Sequence, residues 1–242
     1  MLMRREQAVP PDLTTTTFGP LDRYVAANDN VPKNRMVVRS GDLYIVDTDG
    51  NSHPVPSSVP AEPPRTGDFM QVFSGRKYWP MDPRPHEVYI EDIAHSLAMQ
   101  ARYAGHCLRF YSVAEHSVLI ARHLAAKHAP EVALAGLLHD APEAYCVDIP
   151  RPLKPYLVNY KGIEQLNWLA IAARYQLDRE LPAEVHDADN RIIADELVNL
   201  VPMPWHARHA NPLGVRLRYW SPEEAELEFL ATFDALMAGR VA

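Results

Sequence analysis

The stretch that decides the reading is residues 133–154, ALAGLLHDAPEAYCVDIPRPLK. It opens on an unbroken apolar run, Ala133 to Leu138, of the kind that forms a helix buried on all sides. The run ends on His139 and Asp140, which delivers two metal-competent side chains to the edge of a core. A carboxylate there is costly unless it is paired or coordinated. Imidazole and carboxylate together suit Zn, Mn, Fe or Co better than Ca. Glu143 follows His139 by four positions, so both share a face if the helix continues. Pro142 complicates this, because it lacks a backbone donor and either kinks the helix or starts a new one.

Working outward, apolar residues recur at three- and four-residue steps in six segments. They are Glu87–Tyr103, Ser112–Lys127, Glu131–Tyr145, Tyr160–Tyr175, Ala183–Val201 and Pro222–Met237. Ser221, Pro222 and Glu224 supply an N-cap, a proline at the first helical position and the acidic third position of a capping box. No alternating strand pattern follows residue 87. The predicted fold class is all-α, with the main domain at 69–242. Residues 1–68 read as a proline-rich extension, since 12 of the 22 prolines lie in residues 1–86. Within the extension, Met36–Val38 and Leu43–Val46 flank Ser40-Gly41-Asp42 and predict a hairpin. FSGRKYW, residues 73–79, is either a flap over a site, bringing Lys77 to it, or a docked strand.

Two further segments carry chemistry. YSVAEHSVLIARH, residues 111–123, sets His116 inside a helix, and VHDADNRIIADEL, residues 185–197, sets Asp187 and Asp189 near the start of another. A single helical histidine is more often a solvated or hydrogen-bonded residue than a ligand. The joint order of His116, His139-Asp140 and a later aspartate is much more specific.

That order, with YSVAEHS, LHDAPEAY and DIPRPLK around it, resembles the HD-domain superfamily of metal-dependent phosphohydrolases. Within it the chain is similar to 5′-deoxynucleotidases and deoxynucleoside triphosphohydrolases, over about residues 70–235. The resemblance implies a helical bundle holding one divalent ion (Mn, Co, Zn, Fe or Mg) on His116, His139, Asp140 and Asp189, with Asp187 the weaker candidate. It implies that Glu143 and Asp148 are catalytic, Glu143 handling the proton and Asp148 approaching the sugar or the water. It points to Arg102, Tyr103 and His106 in QARYAGHCLRFY, residues 100–111, as substrate contacts, with Arg109 and Lys154 as further cations. Here Arg102-Tyr103 stands where better-known members have Arg-Trp. The implied partners are a nucleotide substrate and further copies of the chain in a dimer or larger assembly. Only His186 lies between Asp140 and Asp189, so the extra histidines of di-iron HD oxygenases are missing. The alternative function is a non-catalytic nucleotide-binding or regulatory HD module.

Composition is consistent with that reading. The chain has 242 residues, 47% of them hydrophobic and 23% charged, a globular balance. Its net charge of -7 with no basic stripe argues against a duplex nucleic-acid partner. No apolar run is long enough to span a membrane. The N-terminus lacks the apolar segment of a secretory signal. Two cysteines, Cys107 and Cys146, make no disulfide framework, so a cytoplasmic location is expected.

Overall fold

Ten of the thirteen residues of α2 (Val113–Ala125) are buried, the polar Glu115, His116 and Ser117 among them. A helix of that kind needs neighbours on every side. It packs on α1 (Ile90–Met99), α3 (Pro130–Leu138), α6 (Ala183–Glu196) and α7 (Pro222–Gly239). Ser112 caps α2 by accepting the Glu115 amide at 3.0 Å, and Ser221 and Glu224 form the expected capping box on α7. The computed structural model describes residues 35–39, 42–46, 49, 51–54 and 62–240. Those residues are mostly helical, as expected, and no helix among them is long and apolar enough to cross a membrane.

The chain divides into two compact units, residues 1–63 and 64–242. In the first, β1 (Arg35–Arg39) and β2 (Asp42–Val46) pair antiparallel with Val37 opposite Tyr44, the predicted hairpin. A strand not foreseen, β3 (Ser52–Pro54), adds to β2. Ser-His-Pro has little strand propensity, and its proline is tolerated because the strand lies at the sheet edge. The proline-dotted residues 1–34, Ser40 and Gly41 of the turn, and the linker 55–61 lie outside the described residues.

The second unit begins ahead of residue 69. Arg65 donates to the Asp82 carbonyl at 3.1 Å, pairs with Glu87 and stacks over Trp79. Met70–Gln71 (β4) and Lys77–Tyr78 (β5) pair as a two-stranded ribbon, the docked-strand alternative for FSGRKYW. Tyr78 is fully buried, stacks on Tyr145 at 3.7 Å and donates to Asn167 at 2.7 Å. A chain starting at Pro64 should therefore keep its helical circular dichroism. A chain starting at Asp68 loses a partly buried charged hydrogen bond, worth about 1.5–3 kcal/mol. Equal melting temperatures for the two would contradict this.

Three helices depart from their expected lengths. α1 ends at Met99, because the chain then turns through a short antiparallel bridge between Ala101 and Ser112. α6 ends at Glu196 and tightens into a 3-10 turn, Leu197–Asn199. The helix expected over 131–145 is broken after Leu138 by Pro142, which cannot donate a backbone hydrogen bond. A short helix, α4 (Glu143–Cys146), restarts beyond it and packs on α1 and on α5 (Tyr160–Tyr175). Val147 ends α4 at φ 68° and ψ 144°.

Gly136 lets α2 and α3 approach closely. A Cβ there would lie 2.5 Å from Leu124 Cδ1 and 3.3 Å from Ile120 Cγ2. Leu124 and Ile120 are themselves buried, so neither has room to move. Gly136→Val should lower stability by about 1–3 kcal/mol, the usual cost of overpacking, despite removing a helical glycine. An unchanged melting temperature would show that the contact has slack.

Candidate metal centre

α2, α3 and α6 pack on one another pairwise, and each brings one part of the predicted set. His116 projects from the first turn of α2 with no exposed surface. His139 and Asp140 follow directly on the last turn of α3. Asp189 stands on α6 beside the buried Ala188.

Each imidazole is oriented through its Nδ1. That of His139 lies 2.8 Å from the Gly136 carbonyl oxygen, and that of His116 lies 2.7 Å from Glu196 Oε1. Both Nδ1 atoms therefore carry the proton, and both Nε2 atoms turn to the same place. His116 Nε2 is 3.6 Å from Asp140 Oδ2 and 3.4 Å from Asp189 Oδ1. His139 Nε2 is 3.2 Å from Asp140 Oδ1 and 3.8 Å from Asp189 Oδ1. Both Nε2 atoms are buried and lack a hydrogen-bond partner. Buried polar nitrogens are rarely left so without reason. One ligand atom each from His116, His139 and Asp140 lies within 4.8 Å of the others, a group that could hold a metal ion. Asp189 adds a carboxylate to it, whereas Asp187 is exposed and pairs with Arg191 at 3.2 Å.

Carboxylates dominate the electrostatics of the two imidazoles. Burial alone would lower the His139 pKa, but Asp140 and Asp189 outweigh it and raise it to about 9. His116 is raised as well, against burial and Arg102, chiefly by Glu196. Burial would raise the Asp189 carboxyl, but the two imidazoles beside it pull it far below the carboxylate range.

Arg102 sits among the acids, 3.4 Å from Asp140 and 3.9 Å from each of Asp148 and Glu196. Glu143 is buried, and its Oε1 is 3.2 Å from Lys154 Nζ. Its Oε2 is buried without a partner. Burial and the charges of Asp140 and Asp148 push the Glu143 carboxyl up to about 9. Asp148 is raised too, mainly by burial, and its amide donates to Gln100 at 3.1 Å.

The other predicted substrate contacts have different neighbours. Tyr103 donates its hydroxyl to Glu196. Lys154 bridges Glu143 and Glu164, the latter at 3.0 Å. Arg109 stacks over Tyr219 at 3.8 Å, His106 is exposed, and Lys77 lies over the Phe69 ring at 4.4 Å. Sequence reasoning missed Glu196, which has no exposed surface and takes hydrogen bonds from His116, Tyr103 and, at 3.0 Å, Tyr111. The signal was its place two turns beyond Asp189, an acid in the apolar row of Ile192 and Ile193. It also missed Asn199, which clasps the Arg109 backbone through two hydrogen bonds of 2.9 Å.

No family model matches the chain. YfdR of Escherichia coli is 39% identical to it over 128 residues, which cover 53% of this chain and 70% of YfdR. The chain belongs to the family of YfdR. A protein of Rhodobacter capsulatus is 38% identical over 127 residues, half of this chain and 64% of that one. Both relatives are described as uncharacterized, so the YfdR family places the chain among its kin without supplying a reaction.

Proposed function

We propose that the protein is an HD-type, divalent-metal-dependent phosphohydrolase that hydrolyses the 5′-phosphate or phosphates of nucleotides, deoxynucleotides foremost. The observation that carries this reading is the pair of buried, unpartnered Nε2 atoms of His116 and His139 facing Asp140 and Asp189. That donor set, two carboxylates and two imidazoles that give up a proton on binding, fits Mn, Co, Zn, Fe or Mg acting on phosphate oxygen. When bound, such an ion supplies Lewis acidity toward a phosphoryl oxygen and lowers the pKa of water.

The chain's own residues do the rest. Glu143 holds or releases a proton at Oε2, while Lys154 fixes its other oxygen. Arg102, loosely shared by Asp140, Asp148 and Glu196, offers a guanidinium that can turn to a phosphate. Asp148 places a second carboxylate beside Glu143 for a sugar hydroxyl or the attacking water. Free Cys107 and Cys146 are consistent with work in a reducing cytoplasm. A homo-oligomer belongs to the same reading.

The test is phosphate release from ribo- and deoxynucleoside mono-, di- and triphosphates, with each candidate metal added in turn. Release from any of them supports the reading. Nucleotide binding without turnover under every metal would replace it with a regulatory module, and the absence of both would end it.

A further inference from the structure

Glu196 joins the imidazole of His116 to the loop 102–111, which also reaches the site through Arg102 to Asp140 at 3.4 Å. Its Oε1 receives His116 Nδ1 and the Tyr111 hydroxyl, and its Oε2 receives the Tyr103 hydroxyl, with Arg102 at 3.9 Å. Tyr103 and Tyr111 stand near the two ends of one loop, residues 102–111. The loop is closed at its base by Arg102 N to Tyr111 O, 2.9 Å, and Val113 N to Gln100 O, 3.0 Å. It starts on backbone that needs support. Tyr103 and Ala104 take φ of 56° and 50°, a left-handed region that L-residues enter rarely. The same loop aims Arg102 at Asp140 and Asp148.

We infer that Glu196 is a positioning residue that couples the metal-facing imidazole of His116 to the order of the Arg102 loop. One rigid carboxylate fixes the Nδ1–H of His116, which leaves Nε2 as a lone-pair donor. It also anchors both ends of the loop that carries the phosphate-facing cation. A cation on Nε2 polarises the imidazole and strengthens its bond to Glu196, which holds the carboxylate in the orientation that Tyr103 needs. Coupling of this kind is reciprocal, so an ordered loop should favour the loaded centre. The inference rests on the metal reading of the cluster.

Cobalt(II) titration, read by visible absorption, and hydrogen exchange of the loop amides test it on the full chain without any activity assay. In the unaltered protein, Co(II) should bind and slow exchange at Arg102 and Leu108. Glu196→Gln should weaken Co(II) binding by about 10–100-fold, the usual cost of losing an outer partner of a ligating histidine. It should also abolish the slowing. Tyr103→Phe keeps the His116 bond and covers the case in which Glu196→Gln does not fold. It should leave Co(II) affinity within about threefold and still lose the slowing. Equal affinity in Glu196→Gln, or slowing that persists in Tyr103→Phe, would overturn the coupling while leaving the metal reading intact. No Co(II) binding by the unaltered protein would overturn the metal reading, and the coupling with it.

Discussion

Asp140→Ala should emerge from dialysis without the divalent ion that the proposed function expects the unaltered protein to retain, and without the proposed phosphatase activity. Asp140, like Asp189, faces both imidazoles, at 3.6 Å from His116 and 3.2 Å from His139. Its loss should exceed the ~10–100-fold penalty for removing an outer partner, because a donor atom itself disappears. The fold should survive, since Arg102 keeps Asp148 and Glu196 within 3.9 Å. Far-ultraviolet circular dichroism separates metal loss from unfolding. Full metal by elemental analysis in folded Asp140→Ala would sink the site.

Glu143→Ala should give the opposite pattern, with metal content unchanged and turnover down by roughly 10²–10⁴-fold, the span for a positioned acid or base. KM should change little, because in the proposed reaction Glu143 moves a proton and does not hold the substrate. Lys154 keeps Glu164 at 3.0 Å and does not become an unpaired buried charge. Turnover that survives in Glu143→Ala would move the proton to Asp148, the neighbouring acid whose pKa burial also raises.

Local chemistry was legible and distant pairing was not. α5 occupies the expected residues, and α7 starts at the expected cap, because spacing and capping residues are local properties. His116, His139 and Asp140 come together in a group that could hold a metal ion, with Asp189 Oδ1 3.4 Å from His116 Nε2, because the helices that carry or deliver them could be read locally. Arg109 shows the limit. Sequence distance put it near the site, yet Tyr219, from a remote segment, takes its guanidinium. Glu196 shows the same limit from the other side, since its meaning lies in Tyr103, Tyr111 and His116, all on other elements. Pro142 was a local signal with two readings, and the structure selects the break.

That break leads to Val147, a β-branched, exposed residue held at φ 68° and ψ 144° immediately before Asp148. Backbone of this kind is close to glycine's own territory and costs about 1–3 kcal/mol in any other residue. The side chain gains little burial in return. The protein thus sits below the thermal stability its own core allows, at a place where the tension directs a candidate catalytic acid. Val147→Gly would relieve it and raise the melting temperature, while Asp148 would sample more directions. Evolution toward heat resistance and evolution toward turnover would then pull this one position apart.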